Sequence, residues 1–150
     1  LSHGTLDIRD ADQSAKFYTE FLGLEVRRNS ATSMWIIKKI KERKDLFLVC
    51  VGVGDKLKPQ SRDNRYILDF ATKAEIHRAH ELALEYQERY NITTIEPVDE
   101  KGEHCSMLLQ DLDFNWWEFK YQACAQFEAA FNPVRWYYEV DLDHRNLGAS

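Results

Sequence analysis

His3-Gly-Thr-Leu-Asp-Ile-Arg-Asp10 returns in altered form at Arg65-Tyr-Ile-Leu-Asp-Phe-Ala-Thr72, each time ahead of a helix-like segment. The shared Leu-Asp-apolar core stands at Leu6-Asp7-Ile8 and Leu68-Asp69-Phe70, an offset of 68 − 6 = 62 that also pairs His3 with Arg65 (65 − 3 = 62). An internal repeat fixes which segments are equivalent before any fold is assigned, so two copies of one small unit are expected. An imidazole able to ligate a metal in the first copy is matched by a guanidinium in the second. The functional question is therefore whether the cleft between the copies holds a metal.

Working outward, residues 1–8 read as a strand with His3, Thr5 and Asp7 on one face by the period of two. Asp10 or Asp12 caps the following helix of about three turns, Ala11, Ala15, Tyr18 and Leu22 recur along it, and Gly23 closes it in a left-handed conformation. The chain leaves through Leu24-Glu25-Val26-Arg27, and two further strands, 34–40 and 45–53, complete a βαβββ unit over residues 1–55. Residues 56–64, with Pro59 and Ser61, form the linker. In the second unit, 65–121, the strand 65–70 precedes Thr72-Lys73-Ala74-Glu75, a capping box, and Ile76, Ala79, Ala83, Tyr86 and Tyr90 share one helix face. Strands at 93–97, 104–111 and 116–121 follow. Residues 122–150 lie outside the repeat, and their cluster Trp136-Tyr137-Tyr138 is apolar enough to pack on the domain or on a partner subunit.

A chain of 150 residues, 44% hydrophobic and 13% aromatic, has the material for one compact core or two fused half-domains. With 25 acidic and 20 basic side chains the net charge is −5, which argues against a nucleic-acid partner. The basic run Lys38-Lys39-Ile40-Lys41-Glu42-Arg43-Lys44 reads as a solvated hairpin between strands. Cys50, Cys105 and Cys124 are odd in number and widely spaced, as fits a reducing cytoplasm. No run approaches the ~20 apolar residues of a membrane helix, and no signal-peptide pattern is present. The chain opens at Leu1, already inside a strand, so a few leading residues are expected ahead of it.

Three pieces together resemble the vicinal oxygen chelate superfamily, which contains glyoxalase I, bleomycin- and fosfomycin-resistance proteins and extradiol dioxygenases. They are His3 in the opening strand, the helix from Asp12-Gln13-Ser14-Ala15-Lys16-Phe17-Tyr18 to Phe21-Leu22-Gly23-Leu24-Glu25-Val26, and Gln110-Asp111-Leu112-Asp113-Phe114-Asn115-Trp116-Trp117-Glu118-Phe119. The resemblance covers residues 1–121. It implies an α+β fold in which two βαβββ modules form a half-open mixed barrel around a divalent metal. It also implies ligands at His3, at the position of Arg65, and at Glu118. Imidazole and carboxylate suit Fe(II), Mn(II), Zn(II) or Ni(II). Arginine stays protonated and cannot coordinate a cation, so the third ligand is the wrong type.

Three readings of Arg65 stand open. It binds an anionic substrate group beside a metal; or it replaces the metal and pairs with Glu118; or the strand register slips and it faces solvent. His104 and Ser106 share a face of the penultimate strand, which the resemblance turns into the cavity, making His104 a candidate acid, base or substitute ligand and Ser106 a substrate contact; the competing reading leaves His104 in solvent. Alternation places Trp116 beside Glu118 as an aromatic wall for a planar ligand, though core packing explains it equally. His77 and His80 stand i, i+3 on a helix without an assigned carboxylate or Cys partner, so a polar helix flank is expected, and His144 in the tail carries no signal. Cys50 and Cys105 read as buried structural thiols. Phe114 occupies the place of the family's usual turn Gly, so an unusual turn is expected.

Two functions of different class follow: a metal-dependent enzyme of the glyoxalase/extradiol dioxygenase type acting on an oxygenated small molecule, aromatic or not, with His3 and Glu118 as ligands, or a metal-free ligand-sequestering protein anchored by Arg65 and Glu118. A homodimer is expected in either case.

Overall fold

The computed structural model describes residues 3–38 and 46–121, without the side chains of His3 and Leu46. The charged hairpin beyond Lys38, the 122–150 extension with Trp136-Tyr137-Tyr138, Cys124 and His144 lie outside the described residues.

β1 (His3–Ile8) alternates as its sequence requires, with Leu6 and Ile8 fully buried while Thr5 and Asp7 stay exposed. α1 (Ala11–Lys16) begins at Asp10, whose carboxylate accepts the N–H groups of Asp12 at 3.0 Å and Gln13 at 2.9 Å. Asp10, not Asp12, is therefore the cap. The helix does not run on for three regular turns. Over Phe17–Phe21 it widens into a π-helical turn in which the Leu22 N–H reaches back five residues to the Phe17 carbonyl, 3.1 Å. The wider turn coincides with full burial of the adjacent rings Phe17 and Tyr18, and Phe21 stacks on Phe17 with centroids 5.4 Å apart. Gly23 follows at φ +66°, the conformation a glycine adopts without steric cost.

β2 (Glu25–Arg28), β3 (Ser33–Lys38) and β4 (Leu46–Gly52) complete the first sheet in the order β1-β4-β3-β2, with β1 and β4 parallel and the other pairs antiparallel. The second unit repeats this arrangement. β5 (Arg65–Phe70) runs parallel to β9 (Trp116–Tyr121), which pairs with β8 (His104–Gln110). α2 (Lys73–Glu85) is closed at its start by the Thr72/Glu75 capping box. Along the outer edge of β8 run two short strands, β6 (Thr94–Ile95) and β7 (Asp99–Lys101), in place of the one expected over 93–97. Pro97, which has no N–H to give a ladder, falls in the break.

One core serves both sheets: Leu6, Ile8, Phe17, Tyr18 and Cys50 from the first unit join Ile76, Met107, Trp117 and Phe119 from the second. A buried aromatic removing ~200 Å² from water contributes about 5 kcal/mol before entropy, so the ring contacts Tyr18–Trp117 (5.7 Å) and Phe21–Phe119 (6.5 Å) tie the units firmly. The Tyr66 hydroxyl donates to the Thr5 carbonyl at 3.1 Å, setting β5 beside β1. The described strands do not close into a barrel. No described helix is long and apolar enough to cross a membrane.

Candidate functional site

The turn between β8 and β9 sets the positions of both units. Asp111 Oδ1 accepts the N–H groups of Asp113 (2.8 Å) and Asn115 (3.0 Å), while Oδ2 accepts Trp117 Nε1 (2.8 Å) and the Tyr18 hydroxyl (3.2 Å). Asp113 accepts the Arg9 N–H at 2.8 Å and the Ser14 hydroxyl at 2.5 Å, and Asn115 Nδ2 donates to the Asp7 carbonyl at 2.9 Å. The three side chains are almost fully buried, so these bonds form where an unmade one is expensive. Burial pushes the Asp111 carboxyl up to about 7, against the downward pull of the Trp117 bond. Burial likewise raises Asp113, with the Ser14 hydroxyl opposing. The motif quoted from sequence is thus a clasp joining β1 and α1 of the first unit to β9 of the second. Phe114 within it adopts φ +61°, where glycine is usual, and the Arg9 guanidinium lies 5.8 Å from its ring.

On the other face of β9 stand Trp116 and Glu118. Trp116 pairs across to Arg65 and to Gln110, and Glu118 to Ile67 and Leu108, so Arg65, Trp116 and Glu118 share a face. The Arg65 Nε lies 2.5 Å from Glu118 Oε2. The Glu118 side chain is 7% exposed and that of Arg65 32%, so the carboxylate is sealed and the guanidinium reaches the surface. The Arg65 terminal amino groups make no further hydrogen bond among the described residues. Of the three readings of Arg65, the geometry matches direct pairing with Glu118.

Trp117 turns the opposite way, into the core against Tyr18 and Tyr66. Ser106 is buried on the Glu118 side of β8, and its hydroxyl lies 3.1 Å from Nε2 of the exposed His104. His104 precedes Leu108, the partner of Glu118, by four residues, which is about 13 Å along a strand. It stands at the far rim rather than beside the pair. His3 occupies the first position of β1, opposite Phe47, and its side chain lies outside the described residues. The repeat offset places Thr5 at the position equivalent to Ile67 (67 − 62 = 5), and Thr5 pairs with Val49, so the first unit has an apolar side chain where the second carries Glu118.

Cys50 and Cys105 are both buried free thiols, as expected, and burial pushes Cys50 up to about 12. Sequence reasoning gave no partner to His77. In the structure its Nε2 lies 2.7 Å from Glu100 Oε2, beside Cys105. The hairpin symmetry about Gly102, which sets Glu100 opposite Cys105, is the signal that was available for two of these three. A cavity of about 500 Å³ opens on the helix side, between the π-helical turn and α2, lined by Phe21, Leu68, Phe70, Tyr86, Tyr90 and Phe119. It lies across the sheet from Glu118, and its rim charges pair with neighbours, Arg89 with Glu20 and Arg78 with Glu81. None of the sequence-selected site residues lines it.

No protein-family model and no curated protein matches the sequence. Solved structures do. The fosfomycin resistance protein FosX from Listeria monocytogenes, crystallised with Mn(II) and sulfate, superposes with TM-score 0.62 at 15% identity over 87% of this chain and 96% of that one. A glyoxalase/bleomycin resistance protein/dioxygenase from Alicyclobacillus acidocaldarius gives TM-score 0.56 at 21% identity over 79% and 88%. The chain has the vicinal oxygen chelate fold. Within that fold, the metal implied by the resemblance does not fit the described side chains: the guanidinium at the second ligand position contacts the carboxylate at the third. A cation there would sit against a permanent positive charge and would have to take Glu118 from it.

Proposed function

We propose that the chain binds a small organic molecule on the shared open face of its two sheets, with Arg65 as a polar anchor and no metal at the Glu118 position. The observation that carries this is the Arg65–Glu118 contact, which pairs the Glu118 charge through Oε2 while leaving the terminal amino groups of the guanidinium for an anionic or oxygen-rich group. The surroundings suit an aromatic ligand: Ile67 is half exposed, and Trp35 and Val51 present partly exposed apolar surface on the first sheet, while Trp116, opposite Arg65, is itself buried and backs the pair rather than offering a free ring. Ser106, on the same face of β8 two residues before the partner of Glu118, is buried and its hydroxyl is engaged by His104, so it backs the face toward the His104 rim. Binding without chemistry makes this a sequestering protein, a role that the same scaffold supports as readily as catalysis.

A second reading, a metal-dependent enzyme with His3 and Glu118 as ligands and His104 as acid or base, draws support from the Mn(II) and phosphonate named for FosX structures. It requires Arg65 to swing off Glu118 and a third ligand from elsewhere. A fluorescence and thermal-shift titration with benzoate, catechol and phenylphosphonate, run with EDTA and then with Mn(II), separates the two. Binding that persists in EDTA and is lost in Arg65→Ala supports sequestration. Binding that appears only with the cation overturns it.

A further inference from the structure

Away from the cleft, three side chains from three elements converge at the outer edge of the second sheet. Glu100 on β7 and Cys105 on β8 are directly opposed partners, so both side chains leave the same face of the sheet, and that face is the one α2 crosses. α2 brings His77 over them. The His77 ring nitrogen, a Glu100 carboxylate oxygen and the Cys105 sulfur lie within 4.8 Å of one another.

We propose that this triangle is a Zn(II)-class cation site, separate from the Arg65–Glu118 cleft. Imidazole, carboxylate and thiolate are the ligand types such a borderline cation takes, and three protein ligands leave one position for water. Bonds of ~2.0–2.3 Å at tetrahedral angles set ligand atoms about 3.3–3.8 Å apart, so the His77–Glu100 edge opens from 2.7 Å and the longer edges, within 4.8 Å, close by up to about 1 Å through side-chain rotation. The stereochemistry of access is favourable. Cys105 is fully buried at the base, while His77 and Glu100 are about half exposed at the mouth, so a cation enters from solvent and meets the sulfur last.

Glu100 is held by His77 Nε2 at 2.7 Å and by Lys73 Nζ at 3.4 Å, with Lys73 also bound to the Gly102 carbonyl. Cation binding exchanges these contacts: the Cys105 thiol loses its proton to solvent, the His77 Nε2 lone pair turns to the ion with the remaining proton on Nδ1, and Lys73 keeps the Gly102 carbonyl. His80, three residues along α2, takes no part in the triangle. If instead the cluster is only a surface ion-pair network resting on a core thiol, none of this exchange occurs.

The test uses the full chain, Zn(II) by calorimetry and Co(II) by absorption. One site is expected, with a thiolate-to-Co(II) charge-transfer band that Cys105→Ser abolishes. His77→Ala, an exposed position that does not threaten folding, is expected to weaken Zn(II) by more than about tenfold, with His80→Ala unchanged. The absence of Zn(II) binding, a Co(II) spectrum without the thiolate band, or an affinity unaltered in His77→Ala overturns the proposal.

Discussion

Removing Arg65 asks whether its contact with Glu118 holds energy or merely proximity. Truncating one member of a buried ion pair typically costs about 3–5 kcal/mol, because the other charge is left desolvated and unpaired. Here the guanidinium is one-third exposed while Glu118 is nearly sealed, so water already screens one side of the pair. Discounting for that screening leaves about 2–3 kcal/mol for Arg65→Ala. For a chain of this length the melting temperature falls by roughly 6–10 °C. Glu118→Gln is expected to cost less, about 1–2 kcal/mol, since the freed arginine can reach solvent. The assay is urea unfolding followed by far-UV circular dichroism on wild type, both single variants and the double variant. The double variant should be less destabilised than the sum of the singles, with a coupling of about 1–2 kcal/mol. Additive losses, or an Arg65→Ala value within about 0.5 kcal/mol of wild type, would mean that the two side chains are near each other without energetic coupling.

The clasp gives two further expectations. Asp111→Asn replaces one acceptor oxygen by an amide that cannot serve the Trp117, Tyr18 and backbone donors, and should cost about 2–4 kcal/mol in the same unfolding assay. Because the folded Asp111 carboxyl is raised from 3.8 to about 7, its proton-linked stabilisation is complete below pH 3.8 and fades as pH rises through 7; the stability gap between wild type and Asp111→Asn should therefore narrow from pH 4 to 7. A gap that widens over that range contradicts the assignment. At Phe114, φ +61° favours glycine, so Phe114→Gly should leave stability within about 1 kcal/mol of wild type while the β-branched Phe114→Val destabilises clearly more, as read by thermal unfolding. Equal effects of the two would show that the backbone angle does not matter there.

What could be read from the sequence was whatever local chemistry or the repeat dictates. The Thr72 capping box, a cap narrowed to Asp10 or Asp12, the turn at Gly23 and the first and last strands of each unit all depend on residues near in sequence, and the offset of 62 carried the topology from one copy to the other. The π-helical turn over Phe17–Phe21 was not legible, because it answers to the packing of Tyr18 against a Trp 99 positions away (117 − 18 = 99). Trp116 and Glu118 fell on one face because alternation is strict in a paired strand. Which of three things Arg65 does was not legible, since that is decided by a rotamer and by the carboxylate across the strand pair. His104 looked like a cavity residue from its face alone, but a face does not give distance along the strand, and four residues separate it from the partner of Glu118. His77 lacked partners on its own helix, and only the crossing of α2 over β7 and β8 supplied them.

Whether the open face carries an Arg65–Glu118 pair in place of a metal centre is read out by Mn(II) titration followed by electron paramagnetic resonance. Mn(II) prefers oxygen-rich sites to thiolate-containing ones, so it reports on the cleft rather than on the His77–Glu100–Cys105 cluster. The expected result is that wild type leaves Mn(II) in its free aqueous form, while Arg65→His, which supplies an imidazole at the second ligand position, binds it. Mn(II) bound by wild type, and released by Glu118→Gln, would mean that the cleft is a metal centre after all.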